Sequence, residues 1–253
     1  METEQLRPAA PRLWEVDTVR GVAVILMIIF HFVFDLTFFG ASSVNIYATP
    51  WQLFARSIGT TFITVMGVSL TLRYERLEPG LDQRQLFQKY LRRGAGLFAW
   101  GMVITVVTYF AVGRRFVVFG ILHLLGLSVI LAFPFLRRRW ASLAGGVVAL
   151  GLGAYLGSAK VLYPWLLWLG VPQYGRGMVD YYPIFPWFGF ALLGVFVGLT
   201  LYPHGVRRFP LPDLGHTAPI RALTYLGKHS LPIYLIHQPI LLGLLFLVGI
   251  GSL

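Results

Sequence analysis

The strongest constraint on this chain is a succession of seven apolar runs, at residues 19–39, 51–72, 94–112, 117–136, 141–157, 184–201 and 230–249, separated by segments that hold most of the charge. A run of about 20 apolar residues matches the hydrocarbon thickness of a bilayer, where a helix satisfies its own backbone hydrogen bonds. The expected fold is therefore an all-α, polytopic transmembrane helix bundle of about seven spans. Charged residues make up 12% of the chain and hydrophobic ones 57%; a soluble domain carries about twice that charged share. The 253 residues read as one transmembrane domain, 1–253, with a polar cytoplasmic segment at 1–16. That segment shows no small-residue cleavage site after a short apolar core, so the first run reads as a retained helix.

A net charge of +11 would suit a nucleic-acid partner, but the basic residues sit between the apolar runs, as the positive-inside rule requires, and no nucleic acid is expected. With the N-terminus inside, 16 of the 21 Lys and Arg fall on the cytoplasmic side, among them Arg7, Arg12, Arg20, Arg92, Arg93 and Arg137 to Arg139. Arg114, Arg115, Lys160 and Arg176 fall outside, and Arg56 lies within the second run. This split places the C-terminus outside. Counting Val161–Gly170 as an eighth span would worsen it, and two Trp and a Pro in that stretch suit an interfacial or re-entrant piece. The membrane expected is a bacterial inner (plasma) membrane. Small residues at Gly153 and Gly157, and at Gly194 and Gly198, have the spacing that lets helices approach closely.

Ionisable side chains within the runs need a reason, since each costs about 2.5–3.5 kcal/mol at mid-bilayer on insertion scales. Arg20 and His31, eleven positions apart, share a face of the first span, and Asp35 follows His31 by one turn. A His with a carboxylate behind it is a minimal general base, here built from His31 and Asp35, and Asp35 is placed to accept from the ring. The alternative is a His satisfied by a neighbouring helix. Arg56 falls near the level of Asp35 and either pairs with it or snorkels outward. His123 is an oxyanion donor or a packing residue; Asp180, beside Tyr182, is a substrate contact or a helix N-cap. His237 precedes Gln238 and Pro239 and either meets substrate or bonds a carbonyl near the proline. Neither His31, His123 nor His237 has ligand-type spacing on one helix, so no metal is expected. With no cysteine in the chain, there is neither a disulfide framework nor a thiol nucleophile.

Four segments, VDTVRGVAVILMIIFH (16–31), FGILHLLGL (119–127), DYYPIFPWFGFALLG (180–194) and LGKHSLPIYLIHQP (226–239), together resemble the heparan-alpha-glucosaminide N-acetyltransferase catalytic-domain family. The ten residues between Arg20 and His31 also resemble the arginine–histidine signature of the membrane acyltransferase-3 superfamily. The resemblance implies a multi-pass enzyme that takes an acetyl group from cytoplasmic acetyl-CoA and gives it to a hydroxyl or amine of a sugar or glycoconjugate on the far side. His31 would then be the catalytic His and Arg20 its partner. Arg20, Arg92 and Arg93 are candidates to hold the donor's phosphates, alongside Arg73 and Arg137 to Arg139. The sequence departs from the lysosomal members in being much shorter and in having no His between Gly40 and Pro50. An acetyl-His intermediate remains open, as does a homo-oligomer. The competing class is a small proton-coupled transporter using the same His and Asp residues, although the chain shows no related halves.

Overall fold

The computed structural model describes residues 13–175 and 177–250; Arg7, Arg12, Arg176 and most of the polar segment at 1–16 lie outside the described residues. The architecture is all-helical. In chain order the α-helices are α1 (Trp14–Phe38), α2 (Thr49–Leu77), α3 (Gln83–Val112), α4 (Ile121–Leu131), α5 (Arg139–Ser158), α6 (Ile184–Leu201), α7 (Ala218–Lys228) and α8 (Ser230–Leu247). Among the described residues, α1, α2, α3, α5, α6 and α8 are long and apolar enough to cross a membrane. The protein is thus a polytopic membrane-helix protein.

The run at 117–136 differs from the expected span. Its helical core, α4, has 11 residues, about 16 Å of rise, against the roughly 30 Å of a hydrocarbon core. Gly120 stands at its N-cap, and Pro134 lies in the 3-10 turn Phe133–Phe135 that follows it. The stretch 161–170 forms a six-residue 3-10 helix, Pro164–Leu169, stopped at Gly170 with φ +117°. It is too short to span. Helix α7 falls in a segment that reads as loop by apolar run length alone.

The helices group into two compact units. One holds residues 63–210, with the second half of α2 and helices α3 to α6. Its helices meet through small residues, because without a Cβ two backbones can touch. Side chains added at Gly194 or Gly198 on α6 would collide with the Thr64 carbonyl or the Thr71 hydroxyl on α2, and one at Gly153 on α5 with the backbone of Pro186. Gly157 meets nothing within 4 Å, so of the two pairs read from spacing only three glycines serve helix contact. Helix α3 starts on a capping box: Asp82 accepts from the Gln85 amide N–H at 2.8 Å, and the Gln85 side chain accepts from the Asp82 N–H at 3.2 Å.

The other unit comprises 13–62 and 211–250, with α1, the first half of α2, α7 and α8. Helix α7 lies against the first turns of α1. A Cβ at Gly227 would collide with the Asp17 carbonyl, and one at Gly21 with the Leu223 carbonyl, so each helix presents a glycine to the other's backbone. The Thr18 and Thr224 hydroxyls are 3.2 Å apart across the same contact.

Candidate functional site

Helix α1 carries His31 and Asp35 one turn apart, and α8 brings His237 and Gln238 to meet them. The His31 and His237 rings lie edge to face, with centroids 4.8 Å apart. Asp35 is 2% exposed, and its Oδ1 accepts from the Gln238 side-chain amide at 2.7 Å. His237 Nδ1 lies 2.7 Å from the Tyr234 carbonyl. A carbonyl only accepts, so Nδ1 carries the proton and Nε2 of the neutral ring keeps its lone pair. Three polar atoms here are buried without a hydrogen-bond partner: Asp35 Oδ2, Gln238 Oε1 and His237 Nε2. Each such group costs about 1–3 kcal/mol when left unpaired, so three of them together mark a place that calls for an explanation. Beside the cluster, Phe30 meets His31 edge-on at 5.4 Å and stacks on Trp51 at 5.6 Å; the Trp51 indole N–H is also buried and unpartnered.

These contacts revise several sequence expectations. Asp35 is committed to Gln238 and does not accept from His31. Partly exposed, His31 makes no hydrogen bond among the described residues, so the dyad read from the i, i+4 spacing is not formed. Arg56 is exposed on α2 and does not pair with Asp35. His237 does bond a carbonyl near the proline, that of Tyr234, one residue before the carbonyl whose donor Pro239 removes. Arg20 donates through Nη1 to Asp17 at 2.8 Å and lies 3.5 Å from the Gly227 carbonyl at the end of α7. It therefore ties α1 to α7, an arrangement that an 11-residue spacing to His31 does not disclose. Gln238 and Trp51 were missed; the one sequence signal for Gln238 is its place between His237 and the helix-interrupting Pro239.

The remaining candidates fall in the unit of residues 63–210. His123, 1% exposed, accepts from the Gly120 N–H through Nδ1 at 3.2 Å and reaches the Thr105 hydroxyl through Nε2 at 3.3 Å. Both ring nitrogens are thus occupied, and the residue caps α4. Asp180 is a helix cap, though of α4 and not of the α6 that follows it: Oδ2 accepts from the Ile121 N–H at 3.0 Å. The cap needs Gly120, where a Cβ would collide with the Asp180 carboxylate. Next to it, Tyr182 donates its backbone N–H to the Phe119 carbonyl at 3.0 Å and sets its ring against Trp187 at 4.7 Å. Arg92 and Arg93 are exposed on α3. Among the described residues, no three His, Cys, Asp or Glu gather as a metal site.

Burial raises the Asp180 carboxyl from 3.8 to about 6, with the Ile121 N–H pulling the other way. An acid whose folded-state pKa is raised adds stability below its unfolded value and loses it as pH rises through the folded one. Asp180→Asn keeps an acceptor for Ile121 without titrating. Thermal unfolding in detergent should therefore show the variant gaining on wild type as pH rises from about 4 to about 7, and a pH-independent difference would contradict the assigned burial.

The family model for heparan-alpha-glucosaminide N-acetyltransferase, catalytic, matches residues 12–239. No curated protein matches the chain.

Proposed function

Because the chain belongs to the heparan-alpha-glucosaminide N-acetyltransferase catalytic family, we propose that it is a transmembrane acetyltransferase whose chemistry takes place at His31, His237, Asp35 and Gln238. The donor is acetyl-CoA on the cytoplasmic side. The acceptor is a hydroxyl or amine of a sugar or glycoconjugate on the outer side of a bacterial plasma membrane. The observation that carries this reading is the pair of touching imidazoles among buried polar atoms that have no partner.

Acyl transfer from a thioester needs a base for the acceptor's proton and donors for the oxyanion that forms on the carbonyl. Imidazoles provide both, and a water-poor surrounding strengthens each interaction. Asp35, held by Gln238, has a second carboxylate oxygen free for an acceptor N–H or O–H. Arg92 and Arg93, exposed on α3, are proposed for the donor's phosphates on their charge alone. The basic residues around the turn from α2 to α3, Arg73 to Arg93, support a cytoplasmic N-terminus. With α4 too short to cross, six crossings would bring the C-terminus to that same side, so the C-terminus-out expectation from seven spans is not carried over.

The test uses the purified chain in proteoliposomes with labelled acetyl-CoA on one side and a panel of amino sugars, oligosaccharides and lipid-linked glycans on the other. Label should appear on at least one acceptor. Solute movement without acetylation of any acceptor would instead establish a carrier.

A further inference from the structure

We infer that His237 is the general base of the transfer, with Nε2 taking the proton from the acceptor's amine or hydroxyl. This rests on the acetyltransferase reading above and assigns the base to α8, where the spacing on α1 had pointed to His31.

The Tyr234 carbonyl fixes the proton on Nδ1 and orients the ring, leaving Nε2 as the basic nitrogen. A second group behind the ring plays this part wherever an imidazole acts as a base, since it holds the reactive nitrogen towards its target. Nε2 is buried and accepts from nothing in the protein. A buried acceptor in this state calls for a donor, and the N–H or O–H of an incoming nucleophile is one. His31 differs on each point. With no hydrogen bond at either nitrogen, its tautomer is not set, and its N–H is available to the thioester oxygen. Its ring lies edge to face with His237, so a carbonyl bound by His31 is also close to the base. Asp35 does not orient His31, since its Oδ1 accepts from Gln238 and its Oδ2 from no group among the described residues, and through Gln238 it steadies the turn of α8 that carries His237. The titratable groups around the ring are His31 and Asp35 from α1 and Tyr234 from its own helix, whose ring centroid is 5.7 Å away.

The acceptor nitrogen or oxygen attacks the thioester carbon while its proton passes to His237 Nε2. The new C–N or C–O bond forms, the C–S bond breaks, and the proton moves from Nε2 to the departing sulfur. CoA leaves as the thiol and the imidazole is neutral again.

His237→Asn tests the assignment in the full-length protein in proteoliposomes. The asparagine amide still donates to the Tyr234 carbonyl but has no basic nitrogen. The rate constant should fall about 10²- to 10⁴-fold, with KM for acetyl-CoA unchanged and the thermal midpoint near that of wild type. The fall in kcat/KM at low pH should persist in His31→Asn, at a lower rate, and disappear in His237→Asn. If the asparagine variant does not fold, His237→Ala supplied with free imidazole replaces it, and partial recovery of rate is the expected result. A folded His237→Asn with wild-type kcat, or one whose low-pH limb is unchanged, overturns the assignment. So does His237→Ala without recovery. Failure of wild type to acetylate any acceptor would sink the acetyltransferase reading itself, which keeps the two failures apart.

Discussion

Replacing His31 with alanine is expected to lower acetyl transfer by about 10²- to 10⁴-fold while the protein remains folded. The two halves of that expectation have separate grounds. The side chain makes no hydrogen bond among the described residues, and its ring meets those of Phe30 and His237. Its removal orphans no buried partner, the event behind large losses of stability in polar substitutions. On the proposed reading, what goes is an N–H for the oxyanion of the thioester carbonyl, whose stabilisation matters in the transition state more than in the ground state. The loss should therefore appear in kcat more than in KM. Labelled acetyl-CoA assays paired with melting in detergent decide it: a folded variant at wild-type rate removes His31 from the chemistry, and an unfolded one shows that it has a packing role the contacts do not reveal.

The second large effect concerns stability. Arg20→Ala leaves the Asp17 carboxylate, 4% exposed, without the guanidinium that meets it at 2.8 Å. Removing one member of a buried ion pair costs about 3–5 kcal/mol; Arg20's side chain is 18% exposed, which favours the lower end of that range. The interaction with the Gly227 carbonyl goes with it, so the end of α7 loosens from α1 as well. Asp17→Asn together with Arg20→Met should restore part of the loss, since the double variant removes the buried carboxylate's charge along with the guanidinium. Unfolding of the two single variants and the double in one detergent gives the cycle. If Arg20→Ala melts as wild type but binds acetyl-CoA more weakly, the residue belongs to the donor site and the ion pair is incidental.

How far the sequence foretells this molecule differs between its parts. Six spans were legible because an 18-residue apolar stretch has few other uses, and Arg20, His31 and Asp35 were legible as one face of α1 because helical geometry alone relates them. Helix α4 was misjudged in length although Gly120 and Pro134 mark its ends, since hydropathy runs straight through both. Helix α7 escaped because a search for apolar runs overlooks an amphipathic segment. Its start signals, Thr217 followed by Pro219, were present. The meeting of Asp35 with Gln238, and of Asp180 with α4, lay beyond reach: both join residues 59 or more positions apart, and periodicity ranks no partner for either. The same limit made Asp180 look like a cap for the helix next to it in sequence.

The glycine contact between α1 and α7 has a consequence for the reacting groups. Gly21 is ten residues from His31, about 15 Å along one rigid rod. With backbone pressed on backbone at Gly21 and Gly227, α1 can neither spin nor slide unless α7 is pried away. The azimuth of the imidazole is thus clamped from a distance, by a backbone contact about three helical turns away, and the side chains around the ring can diversify without its losing its aim.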